Sequence, residues 1–186
     1  MTYSIIRPPF DLAFESASKK TLREYATWFH SVAPTRIAEL TNAVKTTPGY
    51  EDWEPTGAPE SLERLGRWFE GQVETRKRRP EEIAELEATL SFPIDVPQDE
   101  LTNRTFSLAV DIGMYFGRVV LENLQGTRWD QPLSNKRFVD YGQPVIMGFG
   151  TVPLNPVRVL VTTAYRVSKK KPADLSGLYA IWARKT

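Results

Sequence analysis

Hydrophobic and polar positions alternate most tellingly in FSLAVDIGMYFGRVVLENL, residues 106–124, the most apolar run of the chain. Phe106, Ala109, Val110, Gly113, Phe116, Gly117, Val120 and Leu124 recur at steps of three and four, which predicts a helix with a broad buried face. Gly113 and Gly117 lie one turn apart on it. A glycine inside a helix costs about 1 kcal/mol relative to alanine, so this spacing predicts close approach by another backbone. The helix is expected at the centre of the core.

Other stretches read against the same template. The first 17 residues are expected to be irregular, because Pro8-Pro9 forbids a helix there. From Ser18 onward Leu22, Tyr25, Phe29, Val32, Ile37, Leu40 and Val44 form one stripe, with Pro34 predicting a kink or a division into two helices. TTPGYEDWEPTGAP, 46–59, reads as a loop. A second helix is predicted over 59–79 from Leu62, Leu65, Phe69 and Val73, and a third from Pro80 through the acidic first turn of EEIAELEATL. SFPIDVPQDE reads as a further loop. TRWDQPL, KRFVDYG and PVIMGFG predict two or three antiparallel strands within 127–150. The alternation in PVRVLVTTAYRV suits either helix or strand, and Asn155-Pro156 as cap and first position favours helix. Leu175, Leu178, Tyr179 and Trp182 predict a last short helix. The expected fold is α+β: one domain over residues 1–186, a helix-rich N-terminal two-thirds, a small antiparallel β-sheet and C-terminal helices.

Composition changes this picture mainly by exclusion. The 24 Lys+Arg against 23 Asp+Glu lack the basic excess of a general nucleic-acid binder. Without cysteine, disulfides, thiolate nucleophiles and Cys-based metal sites are excluded. The N-terminus lacks a signal-peptide core, and Asp111, Arg118 and Glu122 interrupt the one run that approaches membrane-spanning length. A cytoplasmic location is the resulting expectation.

Candidate chemistry is sparse. Arg104, Ser107, Asp111, Tyr115, Arg118 and Glu122 recur at helical spacing as one narrow polar stripe. It reads as a solvated edge or one hydrogen-bonded to the strands; the sharper alternative is a recognition groove in which Asp111 and Arg118 meet a partner. His30 is the sole histidine, and no G-x-S-x-G elbow accompanies it. GFGTVPLNP falls short of a phosphate loop, its prolines removing the N–H donors an anion nest needs. RKRR (76–79) and KKK (169–171) read as cations at helix C-termini. The acidic, aromatic loop around Glu51, Asp52, Trp53 and Glu54 is a candidate interface, unless Tyr50 and Trp53 fold onto the core. No metal ligand set and no cofactor motif is recognised.

SLAVDIGMYFG, the Trp129 strand and DYGQPVIMGFGTVPLNPVRV, with FDLAFESASKKTLREYATWF ahead of them, resemble a family of small bacterial proteins. Such compact proteins without a catalytic signature are similar to the immunity proteins encoded beside bacterial toxins. The resemblance implies a non-catalytic protein that neutralises a toxin domain by direct contact, with Glu51, Asp52, Trp53, Glu54, Asp111 and Arg118 as expected partner-binding residues. The alternatives are a small enzyme using carboxylates, Asp111 with Arg118, and a structural subunit of a larger complex.

Overall fold

The computed structural model describes residues 3–90, 92 and 95–186. In chain order the elements are α1 (Lys19–Lys45), α2 (Ser61–Glu70), β1 (Thr75–Lys77), α3 (Pro80–Thr89), β2 (Asp99–Leu101), α4 (Asn103–Asn123), β3 (Arg128–Asp130), β4 (Val145–Met147), α5 (Pro156–Ser168) and α6 (Leu175–Ala183). Two separate two-stranded antiparallel sheets accompany the helices, an α+β arrangement.

Helix α4 is the axis of the core. Thr102 caps it by accepting from the Thr105 N–H, and Leu108, Ala109, Ile112, Phe116, Val119 and Val120 are all fully enclosed. Close approach of another backbone, expected at both its glycines, occurs at one of them. A Cβ on Gly113 would stand 2.9 Å from the Val157 Cα, so the backbones of α4 and α5 touch there. At Gly117 the space is taken by a side chain instead: a Cβ would meet Trp129 Cη2 at 2.9 Å.

The segment 156–168 is a helix. Asn155 Oδ1 accepts from the Arg158 N–H at 3.0 Å, and Pro156 occupies the first turn, where its missing N–H costs nothing. Helical spacing then buries Leu160, Thr163, Ala164 and Val167. Asp140, enclosed beneath this cap, accepts from Asn155 Nδ2 and Arg158 Nη2, each at 2.8 Å.

Three expectations are corrected, and a fourth is narrowed. Pro34 does not divide the first helix, which runs unbroken through it; the proline is exposed, and only the His30 carbonyl loses its N–H donor. The second helix stops at Glu70, and part of its expected continuation forms β1. Cross-strand partners decide that outcome: Arg76 faces Glu100 and Lys77 faces Asp99 in β2, inside the segment read as a loop. (Residues 91, 93 and 94 of that segment lie outside the described residues.) In the C-terminal half the expected two or three antiparallel strands are two: β3 pairs with β4, KRFVDYG forms turns, and Leu154 adds an isolated bridge to Ile146.

The β1–β2 pair and α3 form an arm. No residue of α3 is buried, and Leu86, Leu90 and Phe92 are exposed. Ion pairs hold the arm together. Arg76 donates to both Glu82 oxygens at 2.9 Å, the Arg79 N–H donates to Glu82 at 2.8 Å, and Arg78 Nε lies 3.2 Å from Glu100. Hydrogen bonds from Arg76 and the Arg79 backbone hold the Glu82 carboxyl down at about 2.

Two outcomes follow from this packing. Gly113→Ala is expected to destabilise the protein by roughly 1–3 kcal/mol, because the intruding methyl must separate two backbones; chemical denaturation measures it. Because the Glu82 pKa is depressed on folding, its contribution is complete above its ordinary 4.5 and is lost as pH falls through about 2. Amide NMR signals of residues 75–90 should therefore collapse towards unfolded positions over that window, ahead of those of α4.

Candidate functional site

The polar stripe of α4 turns inward. Ser107, Asp111 and Tyr115 are buried, whereas Arg118 and Glu122 reach solvent. Asp111 is fully enclosed. Arg36 of α1 donates from Nε to Oδ1 at 2.8 Å and from Nη2 to Oδ2 at 2.7 Å, and the Tyr3 hydroxyl also donates to Oδ2. Arg36 Nη2 further donates to the Ser4 carbonyl at 2.8 Å, and the Ile6 N–H donates to Ser107 Oγ at 2.8 Å. The stripe thus serves as a berth for the N-terminal segment. Burial lifts the Asp111 carboxyl above its ordinary value, opposed by the bonds from Arg36 and Tyr3. Burial, reinforced by the nearby carboxylate, likewise raises the Tyr3 phenol, which stays a proton donor. Tyr115 bonds Ser61 Oγ at 2.6 Å and accepts from the Gly57 N–H at 3.2 Å.

Asp111 is therefore not a surface partner-binding residue, nor does it form a pair with Arg118. The two lie seven positions apart on α4, and Arg118 Nε donates to Glu122 at 2.8 Å, as its spacing predicts. The expected acidic interface is corrected as well. Trp53 is only 3% exposed and donates from Nε1 to the Ser61 carbonyl at 3.1 Å, so it belongs to the core. Glu51, Asp52 and Glu54 remain exposed, but their charge is largely matched locally. Arg64 grips both Asp52 oxygens at 2.8 and 3.0 Å, Lys45 pairs with Glu54, and Glu51 accepts from the Gly49 N–H at 2.9 Å.

What the structure does assemble around Arg118 is a cleft of about 630 Å³ between α1, α4 and β3. Phe29, Ala33, Ile37, Met114, Leu121 and Trp129 supply apolar wall; His30, Pro34 and the Arg118–Glu122 pair complete it. Its size falls in the range of small-ligand and anchor pockets, which are mostly apolar with a few placed polar groups. Trp129 is held by the notch at Gly117 and meets His30 at a ring separation of 5.0 Å and Phe29 at 5.9 Å. Burial against these rings lowers the His30 pKa below 6.5, leaving a neutral imidazole at pH 7. Chemically the cleft offers apolar contact, two ring systems, a neutral donor–acceptor and one ion pair half open to water. Among the described residues, no group of three His, Asp or Glu side chains could hold a metal ion.

Sequence reasoning named Arg118 and missed Trp129, Leu121 and Met114 as site residues. Gly117 was the available signal, but its spacing was read as room for a backbone, whereas the Trp129 ring fills it. Neither a family model, nor a curated protein, nor a solved structure matches the chain.

Removing one partner of a buried ion pair strands the other, at about 3–5 kcal/mol. Asp111→Asn is expected to cost in that range by chemical denaturation and to expose the amides of residues 3–6 to hydrogen exchange. Arg36→Met combined with Asp111→Leu should cost clearly less than the sum of the single changes.

Proposed function

We propose that this chain is a non-catalytic binding protein whose α1–α4 cleft receives an apolar side chain from a protein partner. The observation that carries this reading is the composition of the cleft. Its walls are apolar side chains, and its one charged pair is already satisfied within α4. A recess of that kind gains free energy by excluding water from an inserted anchor, as the central residues of protein interfaces do. Arg118 keeps N–H groups beyond the one given to Glu122, able to orient the partner at the rim.

Neutralisation of a toxin is the form of this activity that we favour, since the resemblance of its motifs to a bacterial family points there. The setting for that activity would be the cytoplasm. Among the described residues no helix is long and apolar enough to cross a membrane. The carboxylate-enzyme alternative rested on Asp111 acting with Arg118, and those groups are committed to Arg36 and Glu122.

Ala33 is half-buried in the cleft wall, so Ala33→Trp would plug the recess from a surface position. Tagged wild-type and Ala33→Trp chains, expressed in the source cell, should differ in one captured protein, retained by the first and lost by the second. That protein's activity should fall when it is bound. Equal capture by both chains, or turnover of a substrate by the purified chain, would sink the reading.

A further inference from the structure

The arm carries a second surface, independent of the cleft. Helix α3 (Pro80–Thr89) is ten residues long, too short to be stable alone in water. It is nevertheless displayed with its apolar side chains uncovered. Ile83 is half-buried, but Leu86 on the helix and Leu90 at its C-cap are exposed, and Phe92 follows with 73% of its surface exposed. The ion pairs of Arg76, Arg78, Arg79, Glu82 and Glu100 hold the arm in shape without covering these side chains.

Charge identifies what would cover it. Glu82 is matched by Arg76 and Arg79, whereas Glu81, Glu85 and Glu87 have no basic partner among the described residues. Helical geometry places Glu87 at the border of the apolar face and Glu81 and Glu85 on the opposite side of the helix. A helix with unmatched negative charge, whose apolar face is bordered by Glu87, complements an apolar groove that carries lysine or arginine. It is a poor fit to an anionic lipid surface, which repels it. It is also a poor fit to a second copy of α3, which would oppose glutamate to glutamate.

We infer that the arm is a helix-in-groove ligand, with Leu86, Leu90 and Phe92 as anchors for a basic-rimmed apolar groove on a protein partner. This rests on the reading of the chain as a binding protein but uses a different surface. The unmatched glutamates speed encounter and select the partner, while the apolar anchors hold it.

A disulfide-linked pair of leucine/lysine helices, which presents an apolar groove edged by lysines, is a suitable probe, with a leucine/glutamate twin as its control. The full chain should sediment as a monomer. On titration with the lysine probe, methyl NMR signals of Leu86 and Leu90 should shift, and affinity for the twin should be at least about tenfold lower. Leu86→Asp with Phe92→Asp, both at exposed positions and checked for retained helicity by circular dichroism, should weaken binding at least about tenfold. Glu81→Gln, Glu85→Gln and Glu87→Gln together should weaken it and flatten its salt dependence. Equal binding to both probes, shifts confined to the cleft, or a dimer abolished by Leu86→Asp would each overturn the inference. Ala33→Trp must leave probe binding unchanged, so failure of the arm and failure of the cleft are read separately.

Discussion

Arg36 and Asp111 meet inside the protein, where each charge has been taken from water at a cost of several kcal/mol. Such a pair persists only if its hydrogen-bonding groups are occupied. Here both carboxylate oxygens are occupied by Arg36, and Tyr3 adds a third donor. The geometry tolerates no sliding of α1 along α4, since any shift would strand a charge. One contact therefore sets the register of the two longest helices and closes the N-terminal segment over them. The same contact sets the cleft. Arg36 adjoins Ile37 and lies within two turns of His30 and Ala33, and Asp111 precedes Met114 by three residues, so the ion pair positions both walls.

Ordinary packing supports that constraint from the other side. Gly113 brings the α5 backbone against α4, and Gly117 admits the Trp129 ring. The first contact lets α5 complete the core. The second makes an aromatic wall for the recess. Two glycines on one helix thus divide the labour between stability and site, and neither role needs the left-handed backbone region.

Much of this was legible in the residues. The α4 face, the close approach at Gly113, the Asn155 cap and the β3–β4 region follow from local rules of spacing and capping. What escaped was long-range. Asp111 falls on a polar stripe by periodicity, and nothing local reveals that Arg36 and Tyr3, 75 and 108 positions away, convert that stripe into an interior seam. Trp53 looks like a surface anchor until Ser61 accepts its indole N–H. Arg76–Arg79 looks like a helix end until Asp99 and Glu100 pair with it across a connection containing all of α3. Each miss is a polar group whose partner lies on another element, and a helical wheel carries no information about partners on other elements.

The arm and the cleft occupy opposite ends of α4. Strand β2 leads directly into the N-terminus of that helix, and Met114, Arg118, Leu121 and Glu122 lie in its C-terminal half. A rigid helix rises 1.5 Å per residue, so the two surfaces are separated by the length of several turns. Their physical characters differ in the same sense. The cleft is built on the buried ion pair and the glycine contacts, and it changes only if the core changes. The arm rests instead on a network of ion pairs around Arg76, Glu82 and Glu100, outside the core. A partner meeting both would find an apolar recess at one end and a negatively charged helix with exposed apolar side chains at the other. That division suits fast, charge-steered encounter through the arm, followed by a slow-dissociating apolar contact at the cleft.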